Sequence, residues 1–171
     1  MRVFLPENDF KNLQQRRMQL KRFTDLGLRI LMYLGQGRAK SATDEANLVT
    51  VTELANKLQW NKNLVVKVTH FMVQEGWLAA VRGRNGGLLL AKDASEYRIG
   101  DIVQKLEGDE RLLDCSEPPC PLCAGCGLIG ALHAAHMAFY AKLNENTLAD
   151  ILKNPTLQEA IVKLYRHRTD S

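Results

Sequence analysis

"TVTELANKLQWNKNLVVKVTHFMVQEGWLAAVRGRNGGLLLAK", residues 50–92, contains two short helical patterns and a hairpin in immediate succession. Thr50 followed by Glu53 fits a capping box, in which each side chain satisfies the other residue's free backbone N–H. Val51, Leu54, Ala55 and Leu58 then form one apolar side. After the break "QWNK", Asn61 caps a second pattern with Leu64, Val65, Val68 and Met72 inward and Gly76 as its stop. Trp60 and Trp77 read as packing anchors at the helix ends, and His70 as a buried or half-exposed polar residue. Two apolar runs follow, Leu78–Val81 and Leu88–Ala91, on either side of "RGRNGG". Asn-Gly between β-forming runs signals a hairpin, because both residues tolerate positive φ. A helix-turn-helix followed by a hairpin is a winged helix, an arrangement that reads duplex DNA. The second helix would present Asn61, Lys62 and Asn63 at its start and Lys67 one turn on; asparagine suits adenine edges, and lysine suits guanine or phosphate. Arg82, Arg84 and Asn85 at the hairpin tip suit phosphate or minor-groove contact.

Upstream, Leu20, Phe23, Leu26, Ile30, Leu31 and Leu34 recur at spacings of three and four, predicting a helix from about residue 19 that ends at Gly35 and Gly37. A polar loop, "RAKSATDEANL", separates it from the helix pair. Downstream, "YRIGDIVQKLEG" predicts an amphipathic helix with Ile99, Ile102, Val103 and Leu106 inward. A long helix is expected from Cys126 or Gly127 to Asn144. Its apolar groups lie on more than one face, which calls for a second partner surface, so it reads as a dimerisation helix. "TLADILKNPTLQEAIVKLY" predicts two short helices split at Pro155. The expected fold is mainly α with a small β wing: an N-terminal extension over 1–17, a winged helix-turn-helix domain over 18–98, and a cluster-binding loop with a long dimerisation helix over 99–171.

At 171 residues, with 46% hydrophobic and 25% charged residues, the chain has an ordinary globular balance. No apolar run approaches the ~20 residues that cross a bilayer, and the N-terminus lacks the apolar core of a secretory signal. A cytoplasmic protein with no membrane partner is therefore expected. Charge is uneven: residues 1–92 carry 15 Lys/Arg against 7 Asp/Glu, a net of +8, and residues 93–171 carry 8 against 12, a net of −4. A basic first half suits a polyanion.

All four cysteines, Cys115, Cys120, Cys123 and Cys126, fall within "DCSEPPCPLCAGC". Pro118, Pro119 and Pro121 keep the loop non-helical. Structural disulfides are rare in a reducing compartment. Structural zinc normally uses two ligand pairs separated by a longer loop. Iron–sulfur clusters take closely spaced cysteines, and Cys120, Cys123 and Cys126 copy the C-x2-C-x2-C run of bacterial ferredoxins. Spacing alone admits four cysteine ligands, and a metal-free dithiol switch stays open.

"MQLKRFTDLGLRILMYLG", "NLVVKVTHFMVQEGWLAAVRGRNGGLLLAK" and "IGDIVQKLEG", with C-x4-C-x5-C and "TLADIL" after them, resemble the Rrf-two superfamily of bacterial winged-helix regulators. Within it they resemble the nitric-oxide-sensing NsrR group more than the IscR group, from Met18 to about residue 153. The resemblance implies a homodimeric repressor on a palindromic double-stranded operator, with one 4Fe–4S cluster per subunit (2Fe–2S is the lesser option) and nitric oxide as effector. It implies Cys115, Cys120 and Cys126 as ligands, with Asp25 of the "FTD" motif as the fourth, given by the partner subunit. Read from the chain alone, an Asp beside a Thr is a helix-cap residue. Cys123 is then an additional thiol and a possible alternative ligand. The chain departs from the family pattern in the seventeen residues before Met18, where Arg16 and Arg17 could meet DNA backbone.

Three rival readings differ in chemistry: an IscR-like sensor of iron–sulfur status or general redox state, an electron-transfer or scaffold protein carrying a cluster, and a zinc-stabilised regulator. His133 and His136, three apart on the long helix, have a spacing that can chelate a metal but is commoner at surfaces and interfaces. Nothing resembles a nucleophile–base pair, a phosphate loop or paired catalytic carboxylates, so no enzyme is expected.

Overall fold

A computed structural model of the chain describes residues 19–36, 48–108, 115, 116 and 119–166. The extension over 1–17, Gly37, the polar loop up to residue 47, Pro118 and the tail beyond 166 lie outside the described residues. The elements are α1 (Arg22–Gly35), α2 (Val51–Leu58), α3 (Lys62–Gln74), β1 (Leu78–Val81), β2 (Gly87–Leu90), α4 (Ile99–Glu107), α5 (Gly127–Leu143), α6 (Leu148–Leu152) and α7 (Pro155–Arg166). The chain is mainly α-helical with one small two-stranded antiparallel sheet, as expected.

The central helix is α1. Leu26, Ile30, Leu31, Tyr33 and Thr24 on it are fully buried or nearly so. It packs on α3, α4, α6 and β2. Leu20, counted above as the first residue of its apolar face, lies before the helix and is exposed. Gly35 closes α1 and lets Leu152 of α6 approach, since a Cβ there would lie 2.6 Å from Leu152 Cδ1.

The helix pair forms as its local signals dictate. Thr50 Oγ1 accepts the Glu53 N–H at 3.1 Å. The Glu53 carboxylate also accepts the buried Tyr33 hydroxyl at 3.0 Å, tying α2 to α1. Gln59 ends α2 in the left-handed region, φ 56°, and the Trp60 N–H returns to Ala55 O at 2.9 Å. That residue makes the tight turn into α3. Asn61 Oδ1 accepts the Asn63 and Leu64 N–H groups at 2.9 and 3.4 Å, capping α3. At the far end, Gly76 adopts φ 69°, and the Gly76 and Trp77 N–H groups return to Val73 O and Met72 O in a Schellman motif.

The wing pairs Leu78 with Leu90 and Val81 with Gly87, so its second strand begins one residue earlier than predicted. Its turn also differs from the expected one. Neither Asn85 nor Gly86 has positive φ; Gly83 does, at 121°, and the Gly86 N–H returns to Gly83 O at 3.1 Å. Gly86 is needed for space, because a Cβ there would collide with Val81 O. Val49, just before α2, adds a third rung by exchanging backbone bonds with Leu88. The buried Tyr97 locks the wing base: its hydroxyl donates to Trp77 O at 2.7 Å and accepts the Lys92 N–H at 3.0 Å. Burial raises its pKa, which keeps the phenol protonated to donate.

The buried core runs without interruption from α1 through α6, across residues 98 and 99. The predicted inward set of α4, Ile99, Ile102, Val103 and Leu106, is buried. The N-cap residue of α4, Arg98, gives no side-chain cap. Asn144, just after α5, serves instead: its Oδ1 accepts the Asp101 N–H at 3.0 Å and its Nδ2 donates to Asp101 Oδ1 at 2.6 Å. A Cβ on Gly100 would collide with the Tyr140 carbonyl, so the α4 backbone lies directly against α5. Asn154 caps α7, with Pro155 as its first residue, giving the predicted split.

Two stability predictions follow from these contacts. Gly100→Ala should lower the unfolding free energy by about 1–3 kcal/mol, because the obstacle is a backbone carbonyl. Gly27→Ala meets only the Leu106 methyls, 2.8 Å away, and should stay within about 1 kcal/mol of wild type. Asn61→Ala should cost about 1 kcal/mol, whereas Asn61→Ser should retain most of the stability. Urea midpoints of the four variants check both.

Candidate nucleic-acid interface and cysteine loop

On α3 the residues Asn61, Lys62, Asn63 and Lys67 are all exposed. The cap bonds engage Asn61 Oδ1, so its amide N–H groups are the part that faces outward chemistry. Val66 and His70 are exposed as well, the latter where a buried or half-exposed residue was expected. Asn63, Val66, Lys67 and His70 therefore make one stripe at i, i+3, i+4 and i+7. The signal for the two missed residues was their spacing from Asn63. Val66 adds an apolar contact of the kind that meets a thymine methyl.

At the hairpin, Arg82, Arg84 and Asn85 are exposed at the turn. A further basic group, Arg22, was missed. From the start of α1 its guanidinium lies 5.3 Å above the Trp60 ring, in the turn that leads into α3. Trp60 and Trp77 are both partly buried at helix ends, and Trp77 packs edge-on to Phe71, with centroids 6.0 Å apart.

The cysteine loop leaves α4 through Gly108, φ 72°, whose N–H returns to Gln104 O. The start of α1 is fastened at the same place: the Lys21 N–H donates to Glu107 Oε1 at 2.9 Å and its Nζ donates to Glu107 O. Within the loop, the Cys120 N–H donates to Cys115 O at 3.0 Å and the Cys123 N–H to Cys120 O at 3.2 Å. Cys123 opens one turn of 3-10 helix, Cys123–Gly125, which delivers Cys126 as the residue before α5. Cys115, Cys120 and Cys126 are half-buried and Cys123 is exposed. The Cys115 thiol is pushed up by burial, then by charge and a hydrogen bond from Cys123, then by Cys120 and Cys126.

Thiolates crowded into one loop are well matched to a soft cation. In a cluster the thiolates are shared among several irons, so they need not converge on a point. Among the described residues, no three His, Cys, Asp or Glu side chains converge as a single-ion cage. The donors therefore fit an iron–sulfur cluster in chemistry. Asp25, on α1, pairs with Arg29 Nε at 2.7 Å and is 41% exposed in the protomer. His133 is exposed, and His136 is half-buried with Nε2 2.8 Å from the Tyr140 hydroxyl.

Behind the loop, α5 is almost bare. Among its residues only Tyr140 is buried, while Leu128 is 56% and Met137 46% exposed. Among the described residues, no helix is long and apolar enough to cross a membrane.

The fold recurs in known proteins. The chain resembles T. potens IscR with a TM-score of 0.58 at 19% identity, over 80% of this chain and 87% of that one. It resembles CymR, the global cysteine regulator of B. subtilis, with a TM-score of 0.59 at 18% identity, over 80% and 98%. The Staphylococcus aureus CymR gives 0.58 at 21% identity, over 77% and 96%. These likenesses are to the fold. The profile of the Rrf2 family, iron-dependent transcriptional regulators, matches residues 20–154. From the helix-turn-helix, the wing and that match, the chain belongs to the Rrf2 family of transcriptional regulators.

Proposed function

We propose that the chain is an NsrR-like repressor, in which a 4Fe–4S cluster at the cysteine loop reports nitric oxide to the DNA-reading helix. The observation that carries this reading is the joint position of the loop. It is fastened to α1 at its entry and leads straight into α5 at its exit, and it carries all four thiols of the chain. Cys115, Cys120 and Cys126 hold the cluster, and Asp25 of the partner subunit completes it. Cys123 is spare. The exposed apolar α5 is covered by the same helix of a second copy, forming a homodimer. Two α3 helices then face one side of a palindromic duplex, ~34–36 Å apart.

A bound cluster supplies an iron open to attack by a small diatomic. Carboxylate is a harder donor than thiolate, so Asp25 holds its iron less firmly. In the protomer alone Asp25 has Arg29 as an alternative partner. Asp25, where not engaged by the cluster, would pair with Arg29 of its own subunit, and the loop of one subunit would no longer be tied to α1 of the other. Because α1 packs on α3, the spacing of the reading helices changes with it. A difference of ~1–3 kcal/mol between DNA-competent and incompetent states changes affinity ~5–150-fold. Lys62, Lys67, Arg82 and Arg84 supply phosphate contact, and Asn63, Val66 and the Asn61 amide face the bases.

Anaerobically purified protein should carry iron and acid-labile sulfide and lose operator binding when nitric oxide is added. Cys115→Ser, Cys120→Ser and Cys126→Ser should lose the cluster chromophore. Asp25→Ala should bleach faster than wild type, and Cys123→Ser should keep its spectrum. Equal operator affinity of metal-free and loaded protein would sink the cluster-gated reading. In a separate measurement, the Arg82→Ala/Arg84→Ala variant should reduce the slope of log affinity against log salt by about 1.8, two phosphate contacts at ~0.9 each.

A further inference from the structure

Arg22 is the first residue of α1 and is exposed. That is the unfavourable end of a helix for a cation, since the free N–H groups there carry positive charge. Asp25 lies one turn on, but its carboxylate is taken by Arg29 at 2.7 Å. Among the described residues, no carboxylate pairs with Arg22 and no hydrogen bond uses its N–H donors. Its guanidinium instead lies 5.3 Å above the Trp60 ring. That ring is a fixed platform. Trp60 is half-buried against the core, and its backbone N–H is held by Ala55 O at 2.9 Å. Contact with an aromatic face restrains a long side chain and leaves hydrogen-bond donors available. A planar fork so held, with no acid on it, matches a phosphate. Its place is also informative. Trp60 directly precedes Asn61, the cap of α3, and Lys62 and Asn63 follow, both exposed. A helix that enters a groove has the sugar–phosphate backbone along its flanks.

We infer that Arg22 binds a backbone phosphate of duplex DNA beside the groove that α3 enters, with Trp60 as its positioning residue. The inference rests on the DNA-binding reading and is independent of the cluster. It gives α1, the buried centre of the fold, a hold of its own on the duplex, next to those of α3 and the wing. The ligand is a phosphodiester, so the contact fixes position and carries no sequence information. A staple that only joined α1 to the turn before α3 would affect stability and leave the salt dependence of binding unchanged. A phosphate contact releases a counterion and must appear in that dependence.

The test uses the full chain, purified anaerobically, and two probes: a duplex that the wild-type protein selects from a randomised pool, and a random-sequence duplex of the same length. Arg22→Ala should weaken binding to both by the same factor. It should also reduce the slope of log affinity against log salt by about 0.9 per bound protomer. Arg22→Lys, which keeps the charge without the fork, should keep the slope. When single phosphates of the selected duplex are replaced in turn by neutral methylphosphonate, wild type should lose affinity at a position where Arg22→Ala loses none. In a Trp60→Leu background, Arg22→Ala should cost a smaller factor than in wild type. A wild-type slope for Arg22→Ala, a loss confined to the selected duplex, or no methylphosphonate position that separates the two proteins would each overturn the inference. An equal cost of Arg22→Ala with and without Trp60 would overturn the positioning role of Trp60. Failure of the wild-type chain to bind either duplex would overturn the DNA reading itself.

Discussion

The backbone of α4 at Gly100 lies against the carbonyl of Tyr140, with the Asn144 side chain closing the free end of the helix. Arg98 Nη1 donates to Asn144 O, the Ile99 N–H to Asn146 O and the Leu148 N–H to Tyr97 O. These bonds converge on one junction between α4 and α5. Only a glycine permits the approach, and only a side chain from the other helix supplies the cap that Arg98 lacks. The junction fixes the direction in which α5 leaves the core. It thus sets where the cysteine loop, at the opposite end of α5, can sit.

A second close approach continues the connection. Leu106 at the end of α4 rests over Gly27 of α1, and the Lys21–Glu107 bonds fasten the adjacent chain ends. The helix that carries Asp25 and the helix that leads into the cysteine loop are therefore packed together. Aromatic contacts carry the connection onward, with Phe23 of α1 edge-on to Phe71 of α3 at 5.5 Å. A packed interior resists gradual deformation, so a displacement at one end is passed on as a shift of whole helices. The helix that leads into the cysteine loop and the helix-turn-helix thus attach to one core.

Much of the fold was legible in the residues. The helix pair, the Asn61 cap, the Gly76 stop and the long helix after Cys126 rest on contacts within a few positions of each other, and they form as read. Errors arose where distant groups competed. The Glu53 carboxylate meets Tyr33 of another helix, which no local motif encodes. The hairpin was correct, but its positive φ falls at Gly83 and not at Asn85 or Gly86, and Gly86 is held close against Val81 O. Val66 and His70 were passed over because an apolar residue and a histidine carry no surface signature of their own. Arg22 joins the basic surface only because Trp60 folds back beneath it.

By itself the sequence determined the order of elements, the winged-helix class and the crowding of four thiols into one loop, since each depends on spacing along the chain. The tertiary structure decided how α5 leaves the core and what caps α4. It also left α5 largely uncovered within the protomer, as apolar groups on more than one of its faces had suggested. The physical reason is the same in each case. Backbone bonds and caps act within a turn or two, whereas close approach and burial depend on what another segment brings to the same place.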